Sequence, residues 1–328
     1  MAPKVKIAGL GKALPETYLT NFDMAKLVET DDEWISTRTG IKERRVLAGD
    51  ERLSELAHDA AVDAIIDAKI DKNDIDMIIV ATSVNDSIYP NLASEVQSML
   101  GIERHIPCFD MAVACTGAIY AMNTARAYIQ SGMYKTILVI GADAHSRFVD
   151  WTDRNTCIIF GDGAGAMILQ ASDNFEGILS MSIHADGSRG QELTLPMGTQ
   201  NSPLVAQKEV LPQHLYMNGK EIYKFVVNTI PDSILSVVEQ AGLTIGDIDY
   251  LVLHQANVRI IKAVQERLGF HDGQVFHNLH KYGNTSAASI FVALTEAFEM
   301  KEFERPCTIA ISGFGAGLAW GSGILRFD

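Results

Sequence analysis

Short apolar runs alternate along this chain with longer stretches in which apolar residues recur every three or four positions. Leu53, Leu56, Ala57, Ala60, Ala61, Ala64 and Ile65 share one helical face, so a helix is predicted there, followed by a strand over 76–82. A helix over 92–100, a strand over 107–111, a helix over 116–129 and a strand over 136–140 come next. The second part repeats the alternation. A helix over 221–241 leads to a strand at Tyr250–Leu253, a helix at Val258–Leu268, a short strand at 275–276, a helix over 287–298 and a strand over 308–312. Further strand-like runs lie at 164–170 and 318–327. Apolar strands separated by helices imply an α/β fold with mostly parallel, buried sheets.

The alternation is also a sequence repeat. Residues 74–80 (Asp-Ile-Asp-Met-Ile-Ile-Val) match 247–253 (Asp-Ile-Asp-Tyr-Leu-Val-Leu), and 136–141 match 308–313. Met-Leu-Gly-Ile at 99–102 matches Arg-Leu-Gly-Phe at 267–270. The order is the same and the offset stays near 170 residues. Two similar α/β halves are therefore expected, 1–171 and 172–328. No Pro/Gly/Ser-rich linker separates them, so they should pack tightly.

Composition narrows the class. The 328 residues suffice for about two domains, and a hydrophobic content of 47% provides a sizeable core. No apolar run approaches the roughly 20 residues that span a bilayer. The apolar stretch 7–10 behind Lys4 and Lys6 is too short for a secretion signal. Cys108, Cys115, Cys157 and Cys307 form neither a CxxC pair nor a metal-ligand spacing, which fits free thiols in a reducing cytoplasm. A net charge of −14 argues against nucleic-acid binding but leaves room for a local basic patch.

Three polar features stand where strand-like runs give way to helix-like ones. Cys115 precedes a helix, where free N–H groups and the macrodipole should favour a thiolate. His254-Gln255-Ala256-Asn257 follows a strand, and Asn284-Thr285-Ser286-Ala287-Ala288-Ser289 opens a helix. Together they make a nucleophile with two hydrogen-bonding partners. Each has a plainer reading: Cys115 as a small buried hydrophobe, His254 as a satisfied strand-end histidine, Asn284 after Gly283 as a turn residue. Gly161-Asp162-Gly163-Ala164-Gly165 lacks the Lys-Ser/Thr of a phosphate loop and reads as a tight turn between close backbones. On Val258–Leu268, at about 100° per residue, Val258, Ile260, Ile261, Val264 and Leu268 share one face and Arg259, Lys262 and Arg267 the other. No histidine or cysteine cluster has a metal-ligand pattern, and no metal or bound cofactor is expected.

The chain resembles the thiolase-fold condensing enzymes, and among them the β-ketoacyl-acyl-carrier-protein synthase III family, which initiates bacterial type II fatty-acid synthesis. The resemblance spans nearly the whole chain. It rests on Thr30-Asp31-Asp32-Glu33-Trp34-Ile35 with Arg38-Thr39-Gly40-Ile41, on Gly161 to Gly165, on the two polar strings, and on Trp320-Gly321-Ser322. It implies a five-layered α-β-α-β-α arrangement, a homodimer and a cytoplasmic enzyme. It implies Cys115 as acyl-accepting nucleophile with His254 and Asn284 as partners, and backbone N–H groups of Cys115 and Ala316 as an oxyanion hole. Trp34, Arg38 and Arg154 fall where the family holds the coenzyme A nucleotide, and Asn257 where it lines the pantetheine channel. Tyr89 falls where a residue reaches into the partner subunit's acyl pocket. The basic residues Lys224, Arg259 and Lys262, with Lys220 beside them, are the expected dock for the acidic acyl carrier protein.

The expected reaction moves an acyl group, acetyl in the first instance, from coenzyme A to Cys115. It then condenses that group with malonyl-acyl-carrier-protein, releasing CO₂. Three departures stand out: Ala118 after Cys115-Thr116-Gly117, Ala316 in place of a usual glycine, and the Tyr89 hydroxyl. Three other readings compete. One keeps the fold in a polyketide or quinolone pathway. Another is a thiolase, which would need a second active-site cysteine that Gly313 to Gly317 does not supply. The third is a non-catalytic binding subunit, against which the full Cys/His/Asn set speaks.

Overall fold

The computed structural model describes residues 2–197 and 214–328. Two sheets dominate it. The first runs, in spatial order, Lys4–Ala13, Gly163–Ser172, Thr136–Asp143, Met77–Ala81, Cys108–Met111. Its last three strands are mutually parallel and its first two antiparallel. The second sheet runs Ile178–Ala185, Ala319–Phe327, Cys307–Gly315, Tyr250–Leu253 with the same pattern of directions. At its far edge Val275 makes a single parallel bridge to Leu251. The two sheets thus share one strand order.

Five layers follow from what each helix must bury. Leu53–Ala68 and Leu92–Met99 cover the outer face of the first sheet. Gly219–Gln240 and Val258–Leu268 cover the outer face of the second. Gly117–Gln130 and Ser289–Glu299 lie between the sheets. The middle helix Ser289–Glu299 is buried at every position from Ser289 to Ala297, as a helix sandwiched between two sheets must be. Val258–Leu268 buries only one stripe and shows Arg259 and Lys262 to solvent. Met77–Ala81 is buried at all five positions because helices close both faces of its sheet. At Gly9 and Gly11 a side chain would collide with carbonyls of Leu53–Ala68, so glycine sets how closely that helix lies on the sheet.

The structure departs from the sequence pattern in three places. The strand expected at 275–276 shrinks to the Val275 bridge. The edge strand Ile178–Ala185, with serines and half-exposed positions, and Lys4–Ala13, with two glycines and half-exposed positions, show no clear pattern. The helix expected over 287–298 begins at Ser289, after a tight turn at Ser286–Ala288. No helix among the described residues is long and apolar enough to cross a membrane.

Candidate active site

Cys115 sits in a one-turn 3₁₀ segment, Ala114–Thr116, between the strand Cys108–Met111 and the helix Gly117–Gln130. The turn is strained. Ala114 has φ +46°, a left-handed conformation costly for a residue with a Cβ, and its N–H donates to Ser83 Oγ at 2.9 Å. Neighbours press in on every side. A side chain at Gly117 would come within 2.7 Å of Ala81 Cβ, and one at Gly315 within 3.0 Å of Cys115 Cβ. Only 5% of Cys115 is exposed. Its Sγ accepts a hydrogen bond from Ser286 Oγ at 3.3 Å.

His254 ends the strand Tyr250–Leu253 and is held by its N–H to Ser312 O at 2.8 Å. Its Nδ1 lies 2.7 Å from Ser289 Oγ, which also accepts the Gln255 N–H at 3.5 Å. With the Ser289 hydroxyl donating to Nδ1, the His254 hydrogen is carried on Nε2. The imidazole packs edge-on against Phe314, ring centroids 5.2 Å apart, and Phe314 precedes the Gly315 that abuts Cys115. Asn284 is fixed by three bonds. Its N–H donates to Ile159 O (2.9 Å), its carbonyl accepts from Gly161 N (3.0 Å), and its Oδ1 accepts from Ser286 N (2.8 Å). With Oδ1 engaged, the amide N–H₂ is the group left for the site. The positive φ of this turn belongs to Gly283 (+69°), so the bland reading of Asn284 as the left-handed turn residue fails. Three buried side chains from three loops are thus joined through shared neighbours: Ser286, Ser289 and the Phe314-Gly315 pair.

The electrostatics correct one expectation. Burial pushes the Cys115 thiol up to about 12, the Asp143 carboxylate pushes the same way, and hydrogen bonds from Ser286 and Asn284 only partly offset this. Burial, with a smaller contribution from the neighbouring His145, pulls His254 down to about 3. The resting site is a thiol beside a neutral imidazole, not the thiolate that the helix N-terminus suggested. Desolvation in a closed core is the largest effect on the thiol.

A cleft of about 990 Å³ opens beside this centre. Trp34, Arg38, Asn257, Arg259, Lys262 and Asn284 are among the residues that line it. Trp34 is flanked by two guanidinium groups: Arg154 Cζ lies 4.9 Å and Arg38 Cζ 5.7 Å from its ring centroid. Arg154 is also anchored to Glu29 O (2.9 Å). Asn257 caps Val258–Leu268 through Arg259 N (2.8 Å) and donates to Arg38 O (3.1 Å), tying the two sides of the cleft together. Lys220 and Lys224 stand on the same rim, but Lys224 is paired with Glu221 at 2.6 Å. Arg259 and Lys262 have no carboxylate partner among the described residues. Arg267, on the same polar face, is tied to Asp232 and Val227 O. Tyr89 is 84% exposed, next to Ile88 at 77%. Ala316 sits in the turn after Cys307–Gly315 and lines a second cavity with Cys115. It is not among the positive-φ positions, so alanine fits there without strain. Neither Ala316 N–H nor Cys115 N–H donates to a neighbouring acceptor among the described residues, apart from Cys115's own thiol.

The sequence reading missed several residues. Ser286 and Ser289 lay inside a string already singled out, and their helical spacing was the available signal. Asp143 left no signal. It is fully buried, and its carboxylate collects N–H groups of Ser83 (2.7 Å), Val84 (3.2 Å) and Ala287 (3.2 Å). Gly161 to Gly165 is the close backbone approach expected: side chains at Gly161 and Gly165 would strike Tyr282 O and Phe291 Cβ. Among the described residues no group of three or more histidine, cysteine or acidic side chains could hold a metal ion.

The architecture is that of the thiolase-fold condensing enzymes. A family model described as 3-oxoacyl-[acyl-carrier-protein (ACP)] synthase III matches residues 109–187, and the model of its C-terminal part matches 238–327. A β-ketoacyl-[acyl-carrier-protein] synthase III of Caldanaerobacter subterraneus subsp. tengcongensis is 44% identical over 325 residues, covering 98% of this chain and 97% of the relative. The crystal structure of a 3-oxoacyl-[acyl-carrier-protein] synthase III from Aquifex aeolicus VF5 superimposes with a TM-score of 0.90 at 40% identity, over 98% of this chain and all of that one. A priming β-ketosynthase of the R1128 polyketide pathway matches with a TM-score of 0.91 at 29% identity, over 100% of this chain and 97% of that one. The chain belongs to the 3-oxoacyl-[acyl-carrier-protein] synthase III family. It is a condensing acyltransferase of the type that initiates fatty-acid synthesis.

Proposed function

We propose that Cys115 takes an acyl group, acetyl in the first instance, from coenzyme A and passes it to malonyl-acyl-carrier-protein, giving a β-ketoacyl-acyl-carrier-protein, CO₂ and free coenzyme A. The observation that carries this reading is the dry cluster of Cys115, His254 and Asn284 beside a cleft edged by Trp34 and two arginines. In the first step the Cys115 S–C bond forms, the coenzyme A S–C bond breaks, and the thiol proton leaves with the coenzyme A sulfur. A thiol held protonated until substrate arrives suits this coupled transfer. The N–H groups of Cys115 and Ala316 face the developing oxyanion. In the second step CO₂ leaves the malonyl group and an enolate forms. Neutral His254, donating from Nε2, and the Asn284 amide donate to its oxygen, and the enolate carbon attacks the acyl-Cys115 carbonyl; the Cys115 S–C bond then breaks and the released sulfur takes a proton from solvent, which restores the resting thiol. A neutral imidazole and a neutral amide serve as donors without giving up a proton.

Trp34, Arg38 and Arg154 hold the nucleotide in this reading, Asn257 borders the pantetheine arm, and Arg259 and Lys262 receive the acidic carrier, with Lys224 weakened by its Glu221 pairing. The exposed Tyr89 supports a homodimer in which it enters the partner's acyl pocket. The shared strand order of the two sheets supports a division into halves 1–171 and 172–328. A cytoplasmic enzyme fits the free thiols. The test separates the two steps. His254→Ala and Asn284→Ala should lose malonyl decarboxylation about a hundredfold or more while Cys115 still becomes acylated from acetyl-CoA. A mutant that decarboxylates normally but cannot be acylated would refute the assignment of roles.

A further inference from the structure

A second cavity, of about 330 Å³, is lined by Cys115 together with Phe160, Leu193, Leu195 and Leu215. Its size is about ten water volumes, more than an acetyl group needs. One lining residue does not match the rest. His145 is 4% exposed, its Nδ1 is sealed from solvent without a hydrogen-bond partner, and its ring stacks on Phe160 with centroids 5.2 Å apart. The ring is held firmly. Phe148 N and Val149 N both donate to the His145 carbonyl (2.9 and 3.2 Å), and the next residue, Ser146, is clamped on Asp162 through N–H (2.9 Å) and Oγ (2.5 Å). Nδ1 is unpaired in either tautomer, but a hydrogen there would be a sealed, unpaired donor, so the tautomer with the hydrogen on Nε2 costs less; no hydrogen bond from Nε2 is made within the described residues of this chain. Apart from Ser83, Thr194 and the backbone N–H groups of Cys115 and Ala316 at its Cys115 end, the pocket is lined by apolar side chains, and a rigid, unpaired imidazole N–H among them offers a donor to an acceptor on the bound chain.

We propose that His145 makes this cavity selective for a short starter acyl chain bearing an oxygen substituent, a hydroxyl or ketone oxygen that accepts the His145 N–H. The inference rests on Cys115 being the acylated thiol. A purely hydrocarbon chain of the same length fills the space but leaves the imidazole unpaired, and such a mismatch is what separates hydrogen-bonding pockets from apolar ones.

The test is acylation of Cys115 by acetyl-CoA, butyryl-CoA and each enantiomer of 3-hydroxybutyryl-CoA, read as rates by intact-protein mass spectrometry. One hydroxybutyryl enantiomer should acylate at least about tenfold faster than butyryl. His145→Leu should bring that ratio to one or below, and His145→Asn, which retains an N–H donor, should keep part of it. A ratio at or below one in the unaltered protein overturns the proposal. So does an unchanged ratio in a His145→Leu protein with an unchanged circular-dichroism spectrum. If acetyl-CoA acetylates Cys115 but the hydroxyl confers no advantage, only this inference falls. If no thioester acylates Cys115, the proposed function falls with it.

Discussion

The same turn is built twice in this molecule and put to different use. Ala114–Thr116 leads into Gly117–Gln130, and Ser286–Ala288 leads into Ser289–Glu299. Both open on a left-handed residue, Ala114 at +46° and Ser286 at +51°. The next residue is Cys115 in one and Ala287 in the other. The strands that end beside them differ in a matched way. Thr136–Asp143 ends in a carboxylate that accepts the Ala287 N–H at 3.2 Å. Cys307–Gly315 ends in a glycine, packed on Cys115, whose missing side chain leaves the Cys115 N–H without a neighbouring acceptor. A duplicated scaffold has thus closed one turn and left the other open. The closed turn contributes Ser286 Oγ to the thiol, and the open one keeps an unpaired N–H, which is the oxyanion donor in the proposed function.

Filling the open turn should have the largest effect. A methyl at Gly315 meets Cys115 Cβ at 3.0 Å and its N at 3.1 Å. Gly315→Ala should slow acylation about 10²–10³-fold with the fold retained by circular dichroism. Unchanged acylation would show that this N–H does not matter. Opening the closed turn should cost stability. Asp143→Ala strands the N–H groups of Ser83, Val84 and Ala287, and urea unfolding should register a loss of about 3 kcal/mol. A loss below about 1 kcal/mol would mean that water replaces the carboxylate.

How much of this contrast was legible in the sequence varies with distance along the chain. Tyr250–Leu253 and Val258–Leu268 were readable to the residue because each carries its own period. Cys115, His254 and Asn284 announced themselves by sitting between strand and helix patterns. Asp143 did not, since its partner Ala287 is 144 residues away and nothing local marks the pairing. The Cys115 thiol was misjudged for the same reason. A helix N-terminus is local, but burial dominates the thiol's acidity, and part of the packing around Cys115, at Gly315, is supplied by the other half of the chain.

Burial of His254 predicts a pH effect. Its folded value near 3 lies below the unfolded 6.5, so the neutral ring's contribution is whole above pH 6.5 and declines as pH falls toward 3. At pH 5 the cost is about 2 kcal/mol. His254→Asn should therefore lose less stability than the unaltered protein between pH 7 and pH 5. Parallel pH profiles would contradict the buried, neutral ring. The smallest expected effect lies farthest from the two turns. Arg259→Glu or Lys262→Glu should raise KM for malonyl-acyl-carrier-protein several-fold at low salt and little near 0.5 M, leaving acylation by acetyl-CoA unchanged, because exposed charges are screened. Equal losses in both half-reactions would move the carrier's dock elsewhere.

The open turn exists, on this account, to make one of four cysteines an acyl acceptor. Incubation with acetyl-CoA, followed by proteolysis and peptide mapping, measures that directly. A single acetyl group per chain is expected on Cys115, with Cys108, Cys157 and Cys307 unmodified. Acetyl on another cysteine, or none on a folded protein, would contradict it.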